Sequence, residues 1–242
     1  MSALRIGLVG NGKMGRMIDS LCAQDGRFQV AGFVGPGACE SLDQLEQLDV
    51  AIDFSYPGNV TMLLDTALRQ KLPLVIGTTG LSDAQEAQIR AASAQVPIVR
   101  ALNFSTGIAV LRRLARMASE ALCGEFDIEI VETHHNQKED APSGTAMALL
   151  RSVDPDGDYA VVCGREGRPG KRGHEIGMHA LRGGTVAGEH SVHFIGPMEE
   201  IELRHRADSR EIFARGALRA AQFAASARPG LYTIDDVIFG GQ

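Results

Sequence analysis

Through its first hundred residues the chain alternates short apolar runs with helical patterns, and few architectures accept that rhythm. Residues 5–9, 28–34, 50–54, 74–76 and 98–100 read as strands. Between them, 12–23, 60–70 and 82–94 read as helices, the last opened by Ser82 and Gln85 in capping-box spacing. A strand, a helix and a further strand pair in parallel through a right-handed crossover. The pattern therefore predicts an α/β fold with an N-terminal doubly wound parallel sheet of Rossmann type.

The rhythm changes after Asn103. Ile108, Leu111, Leu114, Ala115, Ala118 and Leu122 mark one face of a long amphipathic helix. Residues 127–133 then alternate as a strand that runs into His134. From 159 to 206 the chain is mostly strand-like (159–163, 175–181, 190–195 and 201–205), joined by glycine-rich turns. Strands that follow one another without helices predict a second, α+β domain on a mixed, largely open sheet. An alanine-rich helix over 212–227 and the segment 231–238 are expected to return to the first domain. The expected division is 1–105 with 211–242 for the first domain, and 106–210 for the second.

Composition narrows the function. At 44% hydrophobic and 22% charged, 242 residues are enough to bury a proper core. A net charge of −6, with no basic stripe interleaved with aromatics, argues against nucleic acid and anionic membranes as partners. No apolar run approaches the length of a membrane span. Cys22, Cys39, Cys123 and Cys163 are widely spaced and no secretory leader is evident, so the expectation is reduced thiols in a cytoplasm. No cluster of Cys or His completes a ligand set, so no metal is expected.

Gly10-Asn11-Gly12-Lys13-Met14-Gly15 is a G-x-G-x-x-G pattern set between a strand and a helix. In that position the first glycine makes the tight turn and the second lets backbone approach a pyrophosphate. The third permits close packing of helix on strand. The alternative is a plain β–α turn. Dinucleotide sites usually carry an acid for the ribose at the end of the second strand. Here that place is Phe33-Val-Gly-Pro-Gly37, with no acid before Glu40. Lys13 and Arg16 are placed to accept a 2′-phosphate, which leans toward NADP, or they are solvated helix charges. Gly77-Thr78-Thr79-Gly80 and the stretch from Ala101 to Gly107 follow two further strands, where ligands of parallel sheets bind. Asn103 suits the carboxamide of a nicotinamide.

The densest chemistry lies in the fourteen residues from Glu132 to Thr145, which hold His134, His135, Lys138 and the turn Pro142-Ser143-Gly144-Thr145. That turn reads as a helix N-terminus, which offers free N–H groups and a partial positive charge to an anion. Two imidazoles and an ammonium beside it predict a site that grips a small acid and protonates it. The bland alternative is a polar loop ahead of a well-capped helix. His190 and His205 are read as structural or interfacial.

In order, the chain carries G-x-G-x-M-G, I-D-F-S (52–55), G-T-T-G, N-F-S-x-G and E-x-H-H-x-x-K-x-D-A-P-S-G-T-A. This combination resembles dihydrodipicolinate reductase, also called 4-hydroxy-tetrahydrodipicolinate reductase, over essentially the whole chain. The resemblance implies an NADPH- or NADH-dependent reductase of diaminopimelate and lysine biosynthesis, acting on a small dicarboxylate. It implies proton-transfer roles for His134 and Lys138. Contacts to substrate carboxylate fall on His135, Gly144 and Thr145, and Ser143 belongs to the same turn. Cofactor contacts fall on Gly10, Asn11, Gly12, Lys13 and Met14, on Gly77, Thr78 and Thr79, and on Ala101, Leu102, Asn103 and Phe104; Gly15 completes the fingerprint. It implies, further, a homotetramer built through the sheet of the second domain. The glycine- and proline-bearing end of the second strand departs from the family and leaves the choice between NADH and NADPH open. Three rivals stand against this reading: a different nicotinamide dehydrogenase, a nucleotide sensor without turnover, and a structural subunit whose glycine loops bind nothing.

Overall fold

The structure, a computed structural model, describes residues 2–122 and 124–240. It divides into two compact units, Met1–Thr106 with Glu211–Gln242, and Gly107–Arg210.

In the first unit the strands are β1 (Leu4–Val9), β2 (Phe28–Val34), β3 (Val50–Asp53), β4 (Leu74–Ile76) and β5 (Pro97–Arg100). The helices α1 (Lys13–Gln24), α2 (Val60–Gln70) and α3 (Asp83–Ser93) connect them. Buried residues run without alternation from Ile6 to Val9 in β1 and through β3 and β4, because both faces of the sheet are covered. All neighbours pair in parallel, in the order β11-β5-β4-β3-β1-β2, where β11 is Gly230–Tyr232. The order reverses at β1, which lies between β2 and β3. Loops leaving the carboxyl ends of strands there form the crevice where ligands of such sheets bind. The capping box of Ser82 and Gln85 is present at the start of α3.

The C-terminal segment belongs to this unit. Helix α6 (Glu211–Ser226) turns Ala214, Ala217, Ala220, Ala221 and Ala224 inward, and small side chains bring it close to β3, β4 and β5. Gly216 marks the tightest point, since a Cβ there would overlap the carbonyl of Phe104. After it, β11 extends the sheet beside β5 and α7 (Ile234–Phe239) follows.

The second unit is built on a mixed five-stranded sheet. Its strands are β6 (Asp127–His134), β7 (Ala160–Val162), β8 (Glu175–Arg182), β9 (Gly188–Ile195) and β10 (Glu200–Ala207), in the order β10-β9-β6-β8-β7. β6 pairs in parallel with β8 and antiparallel with β9. One face packs on α4 (Thr106–Leu122) and α5 (Gly144–Val153), with Ile128, Ile130, Ile176, Met178, Val192 and Phe194 at its centre. Alternation along β6 sends Glu129, Val131 and Thr133 to the open face.

One expectation for α4 needs correction. Leu114 is 46% exposed and stands outside the core. The buried arc of the helix is centred on Ile108, Ala115 and Ser119, and at 3.6 residues per turn Leu114 falls beyond its edge. Cys22, Cys39 and Cys163 are free thiols, and Cys123 lies outside the described residues. Among the described residues no helix is long and apolar enough to cross a membrane, and no group of His, Cys, Asp or Glu could hold a metal ion.

Candidate active site

Both candidate regions are built at strand ends. In the first unit the chain leaves β1 at Gly10, whose φ of +103° suits glycine. A Cβ there would lie 2.5 Å from the Phe54 carbonyl oxygen. Gly15 sits where a Cβ would strike the Gly10 carbonyl, so the turn and the first coil of α1 fit only because both residues are glycine. Gly12 is the N-cap of α1, has no side-chain cap, and a Cβ there would meet nothing within 4 Å. First-turn N–H groups of a helix have no partner within it, and Gly12 sets no side chain beside them, an arrangement suited to a pyrophosphate. The residues thus fit a dinucleotide. Lys13 and Arg16 are exposed on the same turn, and the Arg16 Nε bonds the Asn11 Oδ1 at 3.4 Å. Met14 is half-buried.

At the end of β2 the backbone curls back on itself. Gly35 N–H donates to the Cys39 carbonyl (2.9 Å) and Cys39 N–H to the Phe33 carbonyl (3.0 Å). No acidic side chain stands in that curl.

The next two loops are tied by a buried carboxylate. Asp53, at the end of β3, has no exposed surface. Its Oδ1 accepts from the Ser55 hydroxyl (2.5 Å) and N–H (3.1 Å), and the Ser55 N–H also reaches the Thr78 hydroxyl at 2.9 Å. Burial pushes its acidity down, raising the pKa against the pull of Ser55, Thr78 and Arg100. Gly77 is buried against the Phe54 ring, Thr78 is buried and Thr79 is exposed. In the β5 loop Leu102 is 69% exposed, while Asn103 accepts the Ser105 N–H at 2.8 Å. Ala101 is buried. The Phe104 ring is in the core, edge-on to Phe54 at 5.5 Å, and the residue as a whole is buried.

In the second unit the chemistry gathers where β6 ends. Glu132 and His134 share the core face of β6 with Ile128 and Ile130, and both are buried. His134 Nδ1 lies 2.5 Å from Glu132 Oε2. Arg182, paired across from His134 on β8, donates to Glu132 Oε2 (2.8 Å) and Oε1 (2.7 Å). Burial lowers the His134 pKa; the hydrogen bond and charge of Glu132 oppose this without overcoming it. For Glu132 burial acts upward, and the bonds from Arg182, His134 and the Ser143 N–H outweigh it, so the carboxylate is held ionised. His190 on β9 meets the His134 ring edge-on, centroids 5.1 Å apart. Burial, with the adjacent His134, takes its pKa down to about 4.

Beyond β6 the chain pairs with the turn after β8, through His135 N–H to Val186 (2.9 Å) and Asn136 N–H to Gly184 (3.2 Å). His135 is half-exposed, with the Arg210 guanidinium 3.2 Å from its Nε2. Lys138 donates to Asp140 Oδ1 at 2.7 Å. Ser143 caps α5, accepting the Ala146 N–H at 3.2 Å. Its own N–H goes to Glu132 Oε1 (3.0 Å) and its Oγ is 3.3 Å from His190 Nε2. Ser143 is thus occupied inside the protein, and the exposed residue that opens the helix is Gly144, followed by half-buried Thr145.

Within the fourteen-residue run, Glu132 links His134 to the Ser143 cap of α5, while His135 faces Arg210 and Lys138 pairs with Asp140. Sequence reasoning named Glu132 only as the head of the run and did not name Arg182 or Arg210. It read His190 as structural or interfacial. The signal available for Glu132 was its i, i+2 spacing from His134 on one strand; Arg182 and His190 reach the cluster only through sheet pairing.

The family descriptions "Dihydrodipicolinate reductase, N-terminus" and "Dihydrodipicolinate reductase, C-terminus" match residues 4–104 and 107–238. The 4-hydroxy-tetrahydrodipicolinate reductase of Caldanaerobacter subterraneus subsp. tengcongensis is 43% identical, over 96% of this chain and 96% of that protein. The enzyme of the same name from Campylobacter lari is 44% identical, over 97% and 99%. Among solved structures, a dipicolinate-bound dihydrodipicolinate reductase from Paenisporosarcina sp. TG-14 superposes with a TM-score of 0.79 at 21% identity, covering 96% of this chain and 97% of that one. Glycine turn, buried carboxylate–imidazole pair and capped helix thus sit in a chain that belongs, over nearly its whole length, to the dihydrodipicolinate reductase family.

Proposed function

We propose that this chain reduces 4-hydroxy-tetrahydrodipicolinate to tetrahydrodipicolinate with NADPH or NADH, in diaminopimelate and lysine biosynthesis. The observation that carries the reading is that buried Glu132 joins His134 to the Ser143 cap of α5, with His135 and Lys138 on the loop between them. That array suits a dicarboxylate that must be both held and protonated.

The cofactor, when bound, supplies the hydride. Gly10, Asn11, Gly12, Lys13, Met14 and Gly15 would hold its pyrophosphate, and Gly77, Thr78, Thr79 and the 101–103 backbone would hold the nicotinamide end. His135, Arg210 and the first-turn N–H groups of Gly144 and Thr145 bind substrate carboxylates, while Ser143 shapes the turn. Loss of the ring hydroxyl as water, with a proton from the neighbouring ring carbon, would first give a C=C bond conjugated to the imine; one hydride would then add to its far carbon and one proton would complete the reduction. Lys138 is the proton donor. The lowered pKa of His134 keeps its imidazole uncharged near neutrality, which suits it to accept a proton beside Lys138 more than to store one.

The acid-free curl after β2 removes a repulsion against a 2′-phosphate, and Lys13 and Arg16 add cations there, so NADPH is used at least as well as NADH. The open face of the five-stranded sheet, with Val131, Ser191 and exposed Leu181 and Ile195, is the surface through which a homotetramer forms. Light scattering on the purified chain tests the assembly. The free thiols of Cys22, Cys39 and Cys163 suit a reducing, cytoplasmic setting.

The decisive test couples the chain to the upstream synthase, which makes substrate from pyruvate and aspartate semialdehyde, and follows oxidation of each cofactor. Synthase-dependent oxidation supports the assignment. Folded protein that oxidises neither cofactor removes it and leaves a nucleotide-binding protein or another dehydrogenase.

A further inference from the structure

Glu132 has no exposed surface, and an unpartnered carboxylate in such a place would be strongly destabilising. Both of its oxygens are instead saturated. Oε1 accepts the Ser143 N–H (3.0 Å) and Arg182 Nη2 (2.7 Å), and Oε2 faces Arg182 Nη1 (2.8 Å) and His134 Nδ1 (2.5 Å). A bidentate arginine alone would neutralise the charge. The imidazole and the helix-cap N–H go beyond neutralisation, and they come from the two parts of the site whose relative placement the reaction depends on.

We infer that Glu132 is a positioning residue for the reduction: with Arg182 it holds His134 as the Nδ1–H tautomer and locks the carboxylate-binding turn to β6. This rests on the reductase reading given above. An ionised carboxylate only accepts hydrogen bonds, so the proton of the contact belongs to Nδ1 and the lone pair of a neutral ring to Nε2. Two residues of β9 flank the ring. A Cβ at Gly188 would stand 3.1 Å from His134 Nε2, and the His190 ring closes the other edge. Besides Glu132, the charged and titratable groups facing His134 are Arg182 from β8, His190 from β9 and Lys138 from the loop after β6.

The same network reaches Lys138. Arg182 Nη2 also donates to the Asp140 carbonyl at 2.7 Å, and the Asp140 carboxylate receives the Lys138 ammonium at 2.7 Å. His134 and Lys138 are therefore the two ends of one hydrogen-bonded chain, His134–Glu132–Arg182–Asp140–Lys138. Removing Glu132 releases His134 and breaks the chain between its two ends.

Nitrogen-15 NMR of the full-length protein with labelled histidine reads the tautomer directly and needs no turnover. The expected result is a protonated-type Nδ1 and an unprotonated-type Nε2 for His134 at neutral pH, assigned by loss of the signals in His134→Gln. In Glu132→Gln that preference is lost, and kcat falls by at least about tenfold while the KM for NADPH stays within about twofold. Arg182→Lys, which keeps the charge but loses the fork, gives a smaller change in the same direction. An Nε2–H tautomer in the unsubstituted protein overturns the inference even if Glu132→Gln fails to fold. So does a folded Glu132→Gln enzyme with kcat within about twofold of the parent. Failure of the parent to oxidise either cofactor removes the reductase reading instead, and the tautomer result stands apart from it.

Discussion

Two helix N-termini anchor the proposed chemistry, and they are prepared in opposite ways. At α1 the N-cap is Gly12, with no side-chain cap and open space where a Cβ would be. At α5 the N-cap is Ser143, with its hydroxyl and N–H both committed and a buried carboxylate behind it. The first end is shaped by what is missing, so that a long, charged ligand can lie against backbone. The second is shaped by what is already satisfied, so that a few side chains point one way before a small ligand arrives. Backbone recognition depends on steric room, and proton transfer depends on preorganised side chains.

If that contrast holds, substitutions in the two regions should fail differently. The largest effect is expected at Lys138→Ala. Turnover should fall by about a hundredfold or more with the fold intact, and the KM for the dicarboxylate should rise. A kcat within about threefold of the parent, in the synthase-coupled assay, would take Lys138 out of the chemistry.

Gly15→Val tests the other side. Its Cβ meets the Gly10 carbonyl, so the turn must open, costing about 1–3 kcal/mol of stability and the pyrophosphate site with it. Thermal shifts with and without NADPH separate the two losses. A retained NADPH shift would break the assignment of this turn. For the parent, cofactor at a hundred times its Kd should add about 2.7 kcal/mol.

The second region should also carry the acid sensitivity. A histidine titrates near 6.5 when unfolded, and His190 in the fold near about 4. Between those values protons bind the unfolded chain more tightly, so the stability linked to His190 is whole above about pH 6.5. It is lost as pH falls toward about 4, up to about 3 kcal/mol. Denaturant melts across that window should show the loss in the parent and a flatter curve in His190→Gln; equal slopes would remove His190 as its source.

The smallest effect is expected from Lys13→Ala with Arg16→Ala. These exposed cations should cost about 1 kcal/mol in kcat/KM with NADPH and almost nothing with NADH. Equal losses with both cofactors would mean that they do not meet a 2′-phosphate.

Much of the first region could be read from local order. Gly10, Gly12 and Gly15 carry their meaning in spacing, because a strand, a tight turn and a helix start are local events. Ser82 with Gln85, and Ser143 ahead of Gly144, were legible for the same reason. Leu114 misled because an apolar residue at plausible spacing still needs a neighbour to cover it. The expectation of a substrate contact at Ser143 was drawn from its place in the turn, and nothing local showed that His190 and Glu132 engage it from inside.

Local order along the chain set the alternation that makes the parallel sheet, the glycine turn, the capped helix and the presence of two imidazoles and an ammonium in one run. Which groups those side chains face depends on pairing between distant strands. Arg182 stands fifty residues from Glu132 and opposes His134 through the parallel register of β6 and β8. His190 arrives through the antiparallel register of β6 and β9. Strand and helix propensities act over a few neighbouring residues, whereas hydrogen bonds to a buried carboxylate are set by pairing between distant strands, and that pairing is settled when the hydrophobic face of the sheet is buried as a whole.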